Sequence, residues 1–584
     1  MINREHLVIV TDDPIMAAVL SSAFSGPGQY VPVYESPRMK RPDADREITT
    51  MVNSMRRVGV GSIIYSRVDA EIPEQVARFI DAPYAVVDDF DDLEDKDVSE
   101  QAKQRAAKMT NENASLELYK HCVPADADNK LAVVIANTSE VDSVIAANYA
   151  IARNADFFTI KMPADLPAKI IEKLNNISAS NVPVDIRKID LNQIKEDLTQ
   201  LLPNVDFSKY SKVLFISEGV PFGIALPTTV TAHLPKLKLG ISIASNLGEY
   251  TISQHRKHAF NATMLINREL KTKNEEEALT AAMLRTQGLV KTEALKHAKL
   301  SELEVEVFPY DVLYIATHGG QVVALRETYE FKTGDDSTHE VVVDVGRGTT
   351  GEVHHIVSVD GVEKSSSDWT KVQGQVWVEY MDKVVRNQMP VTPVKKPETV
   401  MIQMRDLQFE PNQSGMGSGM AFNTLANGYS PLVIVNACGS WNEISGTFVF
   451  AGCAAFIGTL LPVPDSTAAK YGEVFCNNLF KDELINVAHK ARTSLSDEYN
   501  QSLYIFTGTF ESKFDSASSK SDPNGIDVLQ RRIPKEIEKI KERIKEVKGT
   551  ERENIIEAYE VHAYFLEHEL EQLNHAISQT NKKD

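Results

Sequence analysis

Residues 432–440 read Leu-Val-Ile-Val-Asn-Ala-Cys-Gly-Ser, four apolar residues that lead into an amide, a cysteine and a glycine. A short apolar run bounded by a turn signal is typical of a strand buried on both faces of a parallel sheet. Residues 312–320 repeat the design, with Val-Leu-Tyr-Ile-Ala followed by Thr-His-Gly-Gly. Because the carboxyl ends of parallel strands meet at one edge of a sheet, we expect His318 and Cys438 to converge there.

The segments around these two strands extend the same α/β pattern. Lys212–Ile216 and Leu239–Ile243 are further apolar runs separated by helical segments, and they predict more strands of a parallel sheet covered on both faces. Between the two strands described above, Glu340–Val345, Glu352–Val359 and Gln375–Tyr380 alternate apolar and polar residues. This alternation predicts an antiparallel insertion.

The chain has 584 residues, more than one core accommodates, so several packed units are expected. We expect a receiver-like or Rossmann-like α/β unit over residues 1–125 and a second α/β unit over 126–204. The main parallel-sheet domain is placed at 205–515, with the antiparallel insertion at 321–400. Residues 526–584 carry apolar residues three and four apart, which predicts a helical hairpin that packs back on the body or serves self-association or partner docking.

The bulk composition excludes several classes of function. The formal net charge is −20, which disfavours direct binding to nucleic acid or to an anionic membrane and favours a protein or peptide partner. Four cysteines without a close pairing pattern predict neither a zinc knuckle nor a disulfide framework. With no leader-like or membrane-length apolar segment, we expect a soluble, unprocessed cytoplasmic protein. The composition leaves its oligomeric state open.

Cysteine and histidine at one sheet edge suit nucleophilic chemistry. A cysteine attacks a carbonyl as thiolate, and a nearby imidazole takes its proton and returns one to the leaving group. The backbone N–H groups of Gly319 and Cys438 are candidates for an oxyanion hole. Each residue alone has a structural explanation, as a small core side chain or a polar strand terminator. The two together, 120 positions apart and both followed by glycine, favour a catalytic pair that requires no metal and no organic cofactor.

The sequence resembles a known family, the CHAT peptidases, which are relatives of caspases and separases. The segments Tyr314-Ile-Ala-Thr-His-Gly319 and Val435-Asn-Ala-Cys438 are similar to its histidine and cysteine motifs. Four further ordered blocks resemble the family: Leu214–Gly219 with Ala225-Leu-Pro227, Ser242–Ser245, Ala451–Leu460 with Pro462-Val-Pro-Asp465, and Ala488–Arg492. The resemblance covers residues 205–500.

The resemblance implies a caspase-like sheet flanked by helices and a cysteine endopeptidase with His318 and Cys438 as its dyad. It also implies a bacterial stress or antiphage setting and a dedicated protein substrate. Metacaspase-like relatives carry an aspartate at the position of Asn436 to receive a basic substrate side chain, so this chain has the substrate-binding position without that charge. Asp465, in the turn where separase-like relatives carry an acidic residue, is the candidate for contacting a basic side chain, and an N-cap role for the following helix is the alternative.

Three functional hypotheses follow. The first is a cysteine endopeptidase held inactive by its N-terminal units or its tail until a regulatory partner or signal arrives. The second is a non-catalytic caspase-like scaffold that binds proteins or regulates signalling. The third and weakest is a phosphorelay regulator that uses Asp12 and Asp13, because Tyr65-Ser66-Arg67 has no aspartate where the phosphoryl acceptor should stand. Turn and cap roles explain Asp12 and Asp13 adequately.

Overall fold

The structure, a computed structural model, describes most of the chain. The described residues are 6–24, 29–37, 44–93, 96–123, 129–136, 141–178, 182–236, 238–244, 260–266, 270, 272–285, 290–294, 310–316, 321–334, 337–347, 353–360, 362–363, 375–380, 394–396, 398–403, 430–441, 445–446, 448–449, 451–514, 533–535, 537–542, 544–545, 548, 563, 567, 570–571 and 574.

Strands and helices alternate along most of this chain. The strands are β1 (Leu7–Val10), β2 (Val33–Tyr34), β3 (Ser62–Tyr65), β4 (Tyr84–Val86), β5 (Leu131–Ala136), β6 (Ala155–Ile160), β7 (Lys212–Ser217), β8 (Val230–Pro235), β9 (Ala262–Ile266), β10 (Val290–Ala294), β11 (Val312–Ala316), β12 (Gln321–Lys332), β13 (Thr338–Arg347), β14 (Val353–Val359), β15 (Val362–Glu363), β16 (Glu398–Gln403), β17 (Leu432–Asn436), β18 (Ala455–Thr459) and β19 (Tyr504–Gly508). The helices are α1 (Pro14–Phe24), α2 (Ala44–Val58), α3 (Glu71–Ala77), α4 (Lys96–Ala106), α5 (Ala114–Cys122), α6 (Val141–Ala152), α7 (Leu166–Ser178), α8 (Val184–Leu201), α9 (Lys273–Leu284), α10 (Gln375–Tyr380), α11 (Asp465–Asn478), α12 (Leu484–Thr493) and α13 (Glu498–Gln501).

The centre of the protein is a ten-stranded sheet in the order β10-β9-β11-β17-β18-β19-β8-β7-β5-β6. All pairs in it are parallel except β18 with β19. Every residue of β11 is at most 2% exposed, and so are the apolar residues of β17. Full burial of one such aliphatic side chain stabilises the fold by about 1.5–3 kcal/mol, which is why these runs occupy the middle of the sheet. The expected α/β class with a large parallel sheet is therefore confirmed.

Strands β5 and β6 lie within residues 126–204, for which the sequence pattern predicted a separate α/β unit. In the structure they extend this same ten-stranded sheet. Leu131 to Ile135 pair in parallel with Lys212 to Ile216. The apolar run of β5 needs cover on both faces and a hydrogen-bonded strand on each side, and β6 and β7 are these two neighbouring strands.

The N-terminal residues form a four-stranded sheet of their own, in the order β2-β1-β3-β4, with parallel pairing throughout. It packs against the short helical stretch 239–244, whose Ile241 and Ala244 belong to the N-terminal core while Leu239 and Ile243 belong to the central core. The prediction of a strand over Leu239–Ile243 is wrong. A helix covered on both sides has no polar face, so its sequence loses the helical period and resembles a buried strand.

Polar contacts reinforce this junction between the N-terminal sheet and the body. The Glu35 carboxylate accepts from the backbone N–H of Gly240 at 3.1–3.2 Å, and Lys238 pairs with Glu47 at 2.7 Å. Burial raises the pKa of Glu35 to about 7, with the bond from Gly240 and the Lys238 charge acting in the opposite direction.

The insertion is a five-stranded antiparallel sheet in the order β15-β14-β13-β12-β16. The prediction of a strand over Gln375–Tyr380 is wrong, because this segment is helix α10. Its buried Trp377 and Tyr380 are three residues apart and stack on each other with ring centroids 5.2 Å apart, while Val378 is 57% exposed. The alternation of polar and apolar letters concealed this helical pair.

The C-terminal segment contributes to the central core. Ile533, Ile537 and Ile540 are at most 8% exposed and belong to the same buried cluster as the central sheet. Lys541 forms an ion pair at 2.6 Å with Glu567. In the described part of the chain, no helix is long and apolar enough to cross a membrane.

Candidate active site

The strands that precede His318 and Cys438 are direct neighbours in the sheet and are aligned residue for residue. Val312 pairs with Leu432 and Ala316 pairs with Asn436, in parallel. His318 follows Ala316 by two positions in the chain, and Cys438 follows Asn436 by two. His318 and Gly319 themselves lie outside the described residues.

The turn that carries Cys438 is held by side-chain hydrogen bonds to the backbone. The Thr459 hydroxyl donates to the carbonyl of Ala437 at 2.6 Å, and the Ser440 hydroxyl donates to the carbonyl of Val435 at 2.9 Å. Gly439 has φ of +63°, a left-handed conformation that favours glycine. The sequence Cys-Gly-Ser thus fixes the cysteine at the carboxyl edge of β17.

The environment of Cys438 keeps its thiol protonated. Burial raises the pKa of the Cys438 thiol above its usual range. The backbone N–H of Val463, which donates to Sγ at 3.4 Å, and the Arg187 charge act in the opposite direction, whereas Asp465 raises the pKa further. A thiol in this state reacts as a nucleophile only when a base removes its proton.

The four cysteines differ in access. Cys453 and Cys476 are 0% exposed, whereas Cys122 and Cys438 are half-buried. Cys438 lines a pocket at the carboxyl edge of the central sheet.

The space within and in front of this pocket measures about 380 Å³, part of which is open solvent. Residues of β11, β17, α9 and α11 and of the segments next to them line it: Leu270, Thr272, Glu275, Ala316, Asn436, Ala437, Cys438, Val463, Asp465, Ala468 and Ala469. Most of its wall is apolar, and two carboxylates, an amide, the thiol and the Thr272 hydroxyl provide its polar groups.

The amide of Asn436 belongs to a buried polar network behind this pocket. Its Nδ2 lies 2.7 Å from Glu275 Oε1, 3.0 Å from the Tyr314 hydroxyl and 3.1 Å from the carbonyl of Ala468. Its Oδ1 accepts from the Tyr504 hydroxyl at 2.7 Å. Both ends of the Asn436 side chain are therefore engaged within the protein. Its predicted role as a substrate-binding residue stays a prediction.

Glu275 of α9 is the functional candidate that the sequence analysis missed. It is 2% exposed, and its Oε1 accepts hydrogen bonds from the Tyr314 hydroxyl and from Asn436. Burial raises its pKa to about 7; the bonds from Tyr314 and Asn436 lower it, and the charges of Glu276 and Asp465 raise it. Three consecutive glutamates, 275–277, stand at the start of this helix, and nothing local indicates which one faces the interior.

Helix α11 approaches this network closely because it carries a glycine. A Cβ atom at Gly472 would lie 2.6 Å from Glu275 Oε1 and would also meet the Tyr314 hydroxyl. The absence of a side chain at position 472 therefore lets α11 close over the buried carboxylate, although glycine costs about 1 kcal/mol in a helix interior.

Asp465 lies at the opening of the pocket, exposed to solvent. It is the first residue of α11, and Pro464 occupies the N-cap position without a side-chain capping bond. The alternative role of Asp465 as an N-cap is therefore wrong, although a carboxylate in the first helical turn still interacts favourably with the helix dipole. Its predicted contact with a basic side chain stays a prediction.

The N-terminal aspartates have local structural roles. Asp13 Oδ1 accepts from the backbone N–H groups of Ile15 and Met16 at 2.9 Å, as a helix cap does, and its Oδ2 pairs with Arg67. Asp12 accepts from the backbone N–H of Ser36 at 2.9 Å. Among the described residues, no group of three or more His, Cys, Asp or Glu side chains is arranged to hold a metal ion.

No protein-family model and no curated protein matches this sequence. The resemblance to CHAT peptidases therefore rests on the motifs quoted above and on nothing else.

Proposed function

We propose that this protein is a caspase-like cysteine endopeptidase that cleaves a protein substrate next to a basic residue. The observation that carries the proposal is the register of β11 and β17. The strands that lead to His318 and Cys438 are adjacent, parallel and level at Ala316 and Asn436. Two residues further along the chain from this level, one segment carries His318 and the other carries Cys438, and Cys438 lines a pocket.

The protonated thiol defines what the other residues must do. Because burial raises the pKa of Cys438, the reaction needs His318 as general base to take the thiol proton while Sγ bonds to the carbonyl carbon. The carbonyl oxygen becomes negative, and the N–H groups of Gly319 and Cys438 stabilise it. The C–N bond then breaks as His318 returns the proton to the leaving amine. Water hydrolyses the resulting thioester, with His318 again as base, and frees the thiol.

The charge of the pocket supports a basic side chain next to the cleaved bond. Among the described residues that line it, Glu275 and Asp465 are the ionisable oxygen acids, and none is a lysine, arginine or histidine. The apolar wall suits the methylene groups of a lysine or arginine, and the carboxylates suit its charge.

Regulation by the N-terminal region is part of the proposal. Helix 239–244 connects to the N-terminal sheet through the contacts of Glu35 and Lys238, and Arg187 of α8 acts electrostatically on the Cys438 thiol. A partner that shifts α8 would change the surroundings of the nucleophile. We therefore expect a regulatory protein partner to act through this helix.

The test is cleavage of a diverse peptide library by the full chain, beside the Cys438→Ala and His318→Ala variants. Cys122→Ala is the matched control, because Cys122 is the other half-buried cysteine and lies on α5, outside the pocket. We expect the wild type and Cys122→Ala to cleave equally and both dyad variants to be inactive. Cleavage that persists in Cys438→Ala would refute the proposal.

A peptide that carries an acyloxymethyl ketone covers the case of an enzyme that awaits its partner. Covalent labelling of Cys438 that disappears in His318→Ala supports a functional dyad even without turnover. If Cys438 reacts no faster than Cys122, the protein is a scaffold and not a peptidase.

A further inference from the structure

The two carboxylates of the pocket differ in their surroundings. Asp465 is exposed at the opening, where water and salt screen its charge. Glu275 is 2% exposed and lies where Asn436, Tyr314 and Ala468 meet. A cation that enters the pocket interacts more strongly with the buried carboxylate, because the surrounding dielectric is low.

Glu275 has hydrogen bonds but no counterion. Within the described part of the chain, no lysine or arginine pairs with it, and the nearest charges that act on it, those of Glu276 and Asp465, are also negative. Burial of an ionised carboxylate without a partner is costly, so the ionised form of Glu275 is stabilised by any cation that reaches the pocket. Among the described residues, therefore, nothing neutralises this charge, and a cationic ligand would do so.

The network explains why position 436 is an amide. Asn436 Nδ2 donates to Glu275 Oε1 at 2.7 Å, and an aspartate at 436 would place two carboxylates at this separation. Two carboxylates so close cannot both be ionised at neutral pH. The buried pocket therefore accommodates one negative charge at this place, and the chain carries it on α9 and not on β17.

We propose that Glu275 is the specificity-determining residue of the pocket, and that it binds the guanidinium or ammonium group of a substrate side chain while Asn436 and Tyr314 orient its carboxylate. The inference deepens the proposed function and rests on it for the identity of the cation as the side chain next to the cleaved bond. The apolar residues Leu270, Ala468 and Ala469 lie along the wall, where the methylene groups of that side chain pack.

The first test needs no catalysis. Binding of agmatine, which is an arginine side chain without its backbone carboxylate, is measured by calorimetry on the full chain at pH 8. We expect Glu275→Gln to weaken binding at least about tenfold, because a charge-assisted bond is lost while the shape is kept. Asp465→Asn should cost less than about threefold, and Glu277→Gln, on the exposed side of the same helix, should change nothing.

A charge-swap variant separates lost charge from lost structure. Glu275→Gln combined with Asn436→Asp returns one carboxylate to the pocket, and we expect it to recover agmatine affinity to within about threefold of wild type. Unchanged affinity in Glu275→Gln, a larger loss in Asp465→Asn, or no binding by the wild type at millimolar agmatine would each overturn the inference.

A cleavage test keeps this inference distinct from the peptidase proposal. The ratio of kcat/KM for a peptide with arginine before the cut to that for its norleucine analogue should fall at least about tenfold in Glu275→Gln and recover in the charge swap. Cleavage with an unchanged ratio would overturn the role of Glu275 and leave the peptidase intact. If agmatine binding depends on Glu275 but Cys438 proves inert, the peptidase proposal is overturned and the role of Glu275 in binding a cation stands.

Discussion

Replacement of Glu275 by glutamine should make the stability of this protein less sensitive to pH. Burial raises the pKa of Glu275 from its ordinary value of 4.5 to about 7. Between these values the folded state binds a proton that the unfolded state has released, so stability falls as pH rises through this window. Since each pKa unit corresponds to about 1.4 kcal/mol, the full loss above pH 7 is about 3 kcal/mol.

Glutamine imitates the protonated carboxyl group, because its Oε1 still accepts from Tyr314 and Asn436. We therefore expect Glu275→Gln to match the wild type at pH 4.5–5 and to be more stable by about 3 kcal/mol at pH 8. For a large cooperative unit this corresponds to a difference in Tm on the order of 5 °C.

The assay is thermal unfolding of both proteins from pH 5 to pH 8, read as the difference in Tm at each pH. Other buried groups also make stability depend on pH in this range. The pKa of Glu35 is raised to about 7, whereas burial lowers the pKa of His233 to about 3 and that of His489 to about 4, so these two histidines titrate in the assay range only in the unfolded state. They are present in both proteins and cancel in the difference. Glu276 and Asp465, which act on Glu275 electrostatically, are likewise unchanged.

The control is Glu277→Gln, which removes an exposed carboxylate from the same helix and should leave the profile parallel to the wild type. A Tm difference between Glu275→Gln and wild type that is the same at pH 5 and pH 8 would refute the reasoning. It would mean that no proton is gained or lost at Glu275 in the way that a pKa of about 7 requires.

Two further predictions concern the core and the junction of the N-terminal sheet. Gly240→Ala would direct a Cβ atom at the backbone carbonyl of Val33, so the N-terminal sheet must move away at a cost of about 1–3 kcal/mol. Limited trypsin digestion should therefore release the N-terminal sheet faster from this variant than from wild type. Equal rates of release would contradict this prediction. Iodoacetamide should modify Cys438 in the folded protein but reach Cys453 and Cys476 only after unfolding, since both are 0% exposed. Peptide mass mapping identifies the modified cysteines. Modification of Cys453 or Cys476 in the folded protein would contradict the core described above.

The apolar runs were sufficient to predict the strands at the centre of the sheet. Val312–Ala316 was expected as a strand and is β11, and the run beginning at Leu432 is β17. These segments are buried on both faces, so their composition alone reports their surroundings. The same apolar runs predicted that His318 follows one strand of this pair in the chain and that Cys438 follows the other.

Segments that lie between two cores could not be assigned in this way. Residues 239–244 contact the N-terminal core with one side and the central core with the other, so apolar residues lie on both sides of the helix and the helical period disappears. In Gln375–Tyr380 the buried residues Trp377 and Tyr380 are three positions apart, as on one face of a helix. The polar and apolar residues of this segment happen to alternate with the period of a strand, which led to the wrong prediction.

The charge of the pocket depended on contacts between distant parts of the chain. Glu275, Glu276 and Glu277 are the same residue type at consecutive positions, and helix α9 exposes the third while it buries the first beside Tyr314 and Asn436. Local sequence carries the helix and its acidic start. Only the packing of α9 and α11 around the end of β17 determines which glutamate is buried. This packing removes the Glu275 carboxylate from water and leaves its neighbours solvent-accessible, and the resulting pKa and partners make Glu275 a candidate for binding a cation.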